Sequence, residues 1–315
     1  MNRKRRARRS FAIQNPQSKI KNLRIAYLGD IVGTPGRQAL TQQVRTLRDT
    51  HGADLIIANA ENIANGSGIT PEQYKKLSAA GVDGMTLGDH AFRKQQIKNT
   101  LNEADNLIRP INLPGRAWGK GWMRIASPTE NGPEVVVVMI MCRLFMNSVQ
   151  ADDPFAALDR FLDALSKRGG EPPIVIAEIH GEATSEKVAF GWHANGRVAA
   201  VVGSHTHVPT ADARVLPAPG SDLSLPGTPA AASGGGTAYV TDLGMTGPQD
   251  SVLGRRVDRV VKHMSTGLPA AFDVAEGHPV VQGVLIDIDE TSRRATRVER
   301  IALPADVAQP PFAAR

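Results

Sequence analysis

Five apolar runs of this 315-residue chain end in residues of the types that serve as metal ligands. RIAYLGD ends at Asp30, DLIIANAEN at Glu61 and Asn62, and DGMTLGDH at Asp89 and His90. PIVIAEIH ends at His180, and VAAVVGSHTH at His205 and His207. Singly, an acid after a strand is a cap or turn residue, and a lone histidine is a packing or surface group. Five such ends in one chain make coincidence a poor explanation. Three carboxylates, three or four imidazoles and a carboxamide suit a pair of transition ions such as iron, manganese or zinc. Cys142 is the only cysteine, which excludes a thiolate cluster and an intrachain disulfide and fits a reducing, cytoplasmic compartment. His205 and His207 are two apart, so an extended backbone would point both imidazoles the same way.

The elements that must position these groups form an alternating pattern. Strands are expected at 24–30, 54–62, 83–90, 135–141, 173–180, 198–207 and 237–244. Helices are expected at 36–50, 71–80, 94–106, 154–168 and 182–194. Thr70 and Pro71 supply a helix start. The runs 280–289 and 294–303, joined through Glu290, Thr291 and Ser292, form an antiparallel hairpin. Runs that are apolar along their whole length belong to strands covered on both faces. The class is therefore α/β, and in open sheets of that class ligands bind beyond the carboxyl ends of the strands. The five run ends would then share one rim. GDIVGTPGR (29–37) has neither the GK[ST] of a P-loop nor GxGxxG spacing, so Gly33 and Gly36 are assigned to a tight loop carrying Asp30. His51, His193, His263 and His278 follow no strand end and are assigned structural or surface positions.

Charge divides the chain. The formal net charge is +6, yet residues 1–24 carry nine Lys or Arg and no acid, leaving 28 basic against 31 acidic residues, a net of −3, in the remainder. Residues 1–22 are expected to be a solvated, unstructured leader whose charge offers nonspecific contact with nucleic acid. Residues 23–305 would form one domain with a loop insertion at about 217–236, rich in Pro, Gly, Ala and Ser, and 306–315 a C-terminal tail. VVVVMIMC (135–142) is the longest apolar run and is far too short to span a bilayer.

The strings YLGDIVGTPGR, NAENIANGSGIT, TLGDHAFRK, HGEATSEK, GSHTHVPTAD and GTAYVTDLGMTGPQDSVLG resemble the YmdB-type subgroup of the calcineurin-like metallophosphoesterases over about residues 23–303. The resemblance implies an αββα sandwich of two mixed β-sheets flanked by helices. It implies a dinuclear centre, with iron foremost and manganese or zinc otherwise, in a soluble bacterial homo-oligomer that hydrolyses 2′,3′-cyclic nucleotides. Carried over, Asp30, Glu61, Asn62 and His207 would hold one metal. Glu61, Asp89, His180 and His205 would hold the other, and His90 would be the proton donor. A hydroxide bridging two ions would attack phosphorus in line with the leaving oxygen. The chain departs from the subgroup at Asp89 (usually Asn), Gly181 (usually Ala) and Glu178 (usually Asp). The last two are expected to affect only the neighbourhood. A phosphomonoesterase, a nuclease and a non-catalytic RNA-binding regulator are the competing readings.

Overall fold

Successive side chains of a strand point to opposite faces, so a run that is apolar throughout needs cover on both sides. Two stacked sheets with helices outside provide it. The computed structural model describes residues 22–147, 149–217 and 236–306. The leader through residue 21, most of the expected insertion (218–235) and the tail from 307 lie outside the described residues. The first sheet runs in the order β2 (Asp30–Ile31), β12 (Met245–Pro248), β13 (Pro279–Asp289), β1 (Asn22–Leu28), β3 (Leu55–Asn59), β4 (Gly84–Thr86) and β5 (Leu107–Ile108), with β14 (Arg294–Pro304) also paired to β13. The second runs β10 (Arg214–Val215), β11 (Ala238–Val240), β9 (Ala200–Ser204), β8 (Ile174–His180), β7 (Val135–Met141) and β6 (Trp122–Ile125). Both are mixed: β1, β3, β4 and β5 are parallel and β13 antiparallel to β1, while β7, β8, β9 and β11 are parallel between antiparallel edges.

Residue parity sorts the core. Leu23, Ile25 and Tyr27 of β1 and Ile57 of β3 pack between the sheets against Val135, Val137, Met139, Ile174 and Ile176. Ala26 and Leu28 face outward under α1 (Gly33–Asp49), α2 (Pro71–Ala80) and α3 (Lys98–Glu103). Val136, Val138 and Ile140 face outward under α4 (Pro154–Ser166) and α5 (Thr184–Ala194). Burial of each such side chain contributes roughly 1.5–3 kcal/mol. The result is the expected αββα sandwich. Local signals set its helix ends: Thr70 and Gln73 form a reciprocal capping box on α2, which Gly81 ends at φ 100°.

Several expected boundaries move. Ladder pairing stops before the chemistry begins: β3 ends at Asn59, β4 at Thr86 and β9 at Ser204, so Glu61, Asn62, Asp89, His90, His205 and His207 stand in turns just past the strands. The expected helix 94–106 is a 3-10 turn, Gln95–Ile97, followed by the short α3. Gly33 and Gly36 lie in the first turn of α1 rather than in a loop. A Cβ on Gly36 would stand 2.1 Å from Thr246 O, so the glycine lets the helix rest on β12. A further helix, α6 (Val257–Thr266), was not anticipated, although Val257, Val260, Val261 and Met264 stand at helical spacing; only Val260 of them is buried.

One polar cluster crosses the apolar inter-sheet layer. Glu178 of β8 is fully buried, and its Oε2 accepts from Tyr27 Oη (2.7 Å) and Thr86 Oγ1 (2.5 Å). Its Oε1 accepts from Asn59 Nδ2 (2.8 Å) and Ser204 Oγ (2.6 Å). Three of the four donors belong to the first sheet. Burial raises the carboxyl pKa above its ordinary value against the lowering influence of Ser204, Thr86 and Asn59. Truncation to Ala strands four buried donors, each worth about 1–3 kcal/mol when unpaired. Glu178→Ala is therefore expected to lower unfolding free energy by about 4 kcal/mol or more, read from urea denaturation. Glu178→Gln, which keeps one acceptor oxygen, should cost less.

Candidate metal centre

The eight sequence-derived residues meet at the carboxyl ends of β1, β3, β4, β8 and β9, between the two sheets. Asp30, Glu61, Asn62 and His180 are buried. One ligand atom from each of Glu61, Asp89, His180 and His205 lies within 4.8 Å of the others. His180 Nε2 stands 3.1 Å from Glu61 Oε1, 3.1 Å from Asp89 Oδ1 and 3.1 Å from His205 Nδ1. Beside this group, Asn62 Nδ2 is 3.4 Å from Asp30 Oδ1 and 3.1 Å from His207 Nε2, and His207 Nε2 is 3.7 Å from Asp30 Oδ1. Glu61 belongs to both halves. Its Oε2 accepts from the backbone N–H of Gly88 (2.7 Å) and His90 (3.1 Å), while its Oε1 faces His180 and, at 3.4 Å, Asn62. His90 Nδ1 lies 2.7 Å from Asn62 Oδ1 and its Nε2 3.4 Å from Asp89 Oδ2.

Each of three imidazoles has its rear nitrogen engaged. Ser204 gives its proton to Glu178, so its oxygen accepts from His180 Nδ1 (2.8 Å). His207 Nδ1 faces the carbonyl of Leu253 at 3.1 Å, which can only accept. His205 Nε2 faces Glu182 Oε2 at 3.4 Å. The inward atoms are consequently Nε2 of His180, Nδ1 of His205 and Nε2 of His207. Ligating imidazoles are oriented in this way by acceptors behind them. Gly88 makes the approach sterically feasible, since a Cβ there would stand 2.2 Å from His180 Nε2.

Three carboxylates converge here with no Lys or Arg paired to them among the described residues, so only imidazole protons or bound cations balance them. Burial opposes the charge on Asp30 and Asp89. Even so, hydrogen bonding and charge from His207 and His180 hold Asp30 below the usual carboxylate range, and His180 and His205 do the same for Asp89. His180 moves the other way: burial lowers it, but Glu61, Asp89 and Asp30 raise it well above its ordinary value. A site of hard oxygen and imidazole donors that otherwise draws protons fits two transition cations.

The extended-backbone expectation for His205 and His207 is corrected. Both have left-handed φ, 97° and 63°, in a turn beyond β9. A conformation of this kind costs about 1–3 kcal/mol per residue and persists where its surroundings enforce it. Here the fully buried Lys187 donates to Ser204 O (2.6 Å) and Asp242 Oδ2 (2.8 Å), and Asp242 Oδ2 also accepts from Thr206 N (3.1 Å). His205 N reaches Asp30 Oδ2 at 3.3 Å. The residue is thus pinned on both sides and at its own amide.

Sequence reasoning missed Ser204, Glu182, Lys187 and Asp242, and it confined Glu178 to a neighbourhood effect. Glu178 instead reaches His180 through Ser204 and joins both sheets. A lone acid inside the apolar run PIVIAEIH was the available signal. At Gly181 a Cβ would stand 2.2 Å from Cys142 Cβ, so the glycine makes room for Cys142 beside the turn after β8. His51, His193, His263 and His278 lie outside the cluster, with His193 bonded to Asp159 (2.8 Å) and His263 to Leu268 O (2.8 Å).

The 2′,3′-cyclic-nucleotide 2′-phosphodiesterase of Bacillus subtilis (strain 168) is 39% identical over 284 residues, 90% of this chain and 98% of the relative. A Thermus thermophilus protein of known crystal structure superposes with a TM-score of 0.76 at 34% identity, covering 90% of this chain and 100% of that one. The crystal structure of a novel phosphatase of Mycoplasma pneumoniae gives 0.77 at 28% identity, covering 90% and 94%. Residues 26–301 match the family described as YmdB-like protein, and with so much of its length matched the chain belongs to that family.

Proposed function

We propose that this metal-dependent phosphodiesterase hydrolyses 2′,3′-cyclic nucleotides at a dinuclear centre, with iron foremost and manganese or zinc as alternatives. The observation that carries the reading is the set of three inward-facing imidazole nitrogens converging on three carboxylates, of which Asp30 and Glu61 are buried. The Bacillus relative, similar over nearly its whole length, supports the substrate class. Asp30, Glu61, Asn62 and His207 would hold one ion, and Glu61, Asp89, His180 and His205 the other. Bound ions supply Lewis acidity toward the phosphoryl oxygens and acidify water.

The chain's own groups do the rest. Glu61 offers Oε1 to both halves because two backbone N–H groups occupy Oε2. Asn62 Nδ2 now sits among Asp30, Glu61 and His207. As a ligand its amide would turn over, placing the carbonyl oxygen there and an N–H against His90 Nδ1. That contact obliges neutral His90 to carry its proton on Nε2. His90 lines the cavity beside the cluster, so Nε2–H would protonate the leaving alkoxide. Purified protein reconstituted with iron, manganese or zinc, assayed on 2′,3′-cyclic AMP, a nitrophenyl monoester and single-stranded RNA, tests the reading. Turnover confined to the monoester or the RNA would refute it.

Three variants probe the parts. His90→Gln should keep its metal and slow cyclic-nucleotide turnover by roughly 10²–10⁴-fold, with partial rescue on a diester having a nitrophenolate leaving group. Near-normal turnover would remove the acid role. Ser204→Ala should weaken metal binding about 10–100-fold, measured by competition with a chelator, because nothing then holds His180 from behind. Asp89→Asn exchanges an anionic for a neutral oxygen and should weaken one of two bound ions. Equal affinity in metal titration would show that Asp89 is not a ligand.

A further inference from the structure

The metal-binding side chains form only one end of a cavity of about 320 Å³. Glu61, Asn62, His90, Glu182, His205 and His207 line that end, and Val252, Leu253, Arg255, Val260, Met264 and Phe272 are among the residues lining the rest. Met264 is 75% exposed and Phe272 42% exposed, so this wall presents apolar surface to water. Its shape is nevertheless held. The Phe272 ring stands edge-on to His263, with centroids 5.2 Å apart at 76°, and His263 is itself fixed through Nδ1 to Leu268 O.

Arg255 is the cation of the cavity and has no carboxylate within ion-pair distance among the described residues. Its Nη1 donates to Asn65 O (3.1 Å) and Phe272 O (2.9 Å), and its Nη2 to Gly66 O. Three of its five N–H groups are therefore spent in the guanidinium plane. A Cβ on Gly66 would lie 2.3 Å from Nη1 and 2.4 Å from both Cζ and Nη2, which places Gly66 over a face of that plane. The group is a flat cation locked between the 61–68 turn and the segment around Phe272.

We infer that this end of the cavity is a nucleobase subsite, with Phe272, Met264 and the Arg255 guanidinium as its stacking surfaces. The inference rests on the proposed phosphodiesterase reading and deepens it. A nucleotide whose phosphate lies at the carboxylate and imidazole end must send its base along the same cavity, where an aromatic ring, a polarisable thioether and a planar cation complement a flat heteroaromatic ring. Stacking reads the face of a base rather than its edge, so adenine, guanine, cytosine and uracil should all be accepted, and the discrimination should be against a substrate with no base.

The test compares 2′,3′-cyclic AMP with ribose 2′,3′-cyclic phosphate on the metal-loaded protein. Base stacking of the usual strength gives roughly 5- to 100-fold in kcat/KM in favour of the nucleotide, expressed mainly in KM. Met264→Ser/Phe272→Ser should bring that preference most of the way to unity, and exposed Met264→Ser alone should reduce it in part while the fold stays intact. An unaltered preference ratio in the double variant would overturn the subsite, as would a wild-type enzyme that treats both substrates alike. If wild type hydrolyses neither cyclic phosphate, the phosphodiesterase reading has failed. The subsite is then decided by calorimetric binding of adenosine 2′-monophosphate, where lost affinity in the double variant supports it and equal affinity overturns it.

Discussion

A carboxylate buried between two sheets is stable only if every lone pair it exposes finds a donor, and Glu178 meets that condition by drawing on both sheets. Tyr27, Asn59 and Thr86 approach from one side and Ser204 from the other. The apolar layer alone would tolerate small slides of one sheet over the other, because dispersion and burial are not directional. Four hydrogen bonds at 2.5–2.8 Å to one carboxylate are directional, and they set where β8 and β9 stand against β1, β3 and β4. That relation decides whether residues from five strand ends fall within bonding distance of one another.

The same network reaches into the site. Because Ser204 spends its proton on Glu178, it can only accept from His180, and His180 must then present Nε2 inward. Leu253 O and Glu182 impose comparable order on His207 and His205. The turn that carries the latter two is costly in itself, with two non-glycine residues at left-handed φ. The Lys187–Asp242 pair offsets that cost by bonding the backbone on either side of His205. A buried ion pair is a weak source of net stability. Its contribution here is positional.

Along the cavity the character changes from crowded charge to apolar surface. The carboxylate end is dense with groups that repel one another unless cations or protons intervene. The far end has one locked guanidinium and side chains that gain by being covered. The proposed nucleotide, with an anionic and a flat part, would satisfy both, which would relate the chemistry of the centre to the cleft around it.

The strand–helix alternation was legible because it is a local property: runs apolar at every position require cover on both faces, and α2 carries its own start and stop signals in Thr70, Pro71 and Gly81. The metal-ligand residue types were legible for the same reason, each standing directly after such a run. Ladder ends were less so, since a strand stops where its partners stop, and the partners of β9 are β8, more than twenty residues earlier, and β11, more than thirty residues later. Helix α6 was not anticipated although its periodic trace is plain, with Val257, Val260, Val261 and Met264 at helical spacing. The functions of Ser204, Lys187 and Asp242 were not legible, and the lone acid in PIVIAEIH marked Glu178 without disclosing its partners. Each depends on a partner distant in sequence, such as Tyr27 for Glu178 and Asp242 for Lys187. The α/β class, the candidate ligand residues and their place after the strands were readable from the linear order, because these follow from side-chain chemistry and short-range periodicity. Only the tertiary structure decided which nitrogen of each histidine faces inward, how His205 and His207 turn, and what lies across the cavity, because hydrogen-bond direction and packing are set by neighbours that the linear order does not bring together.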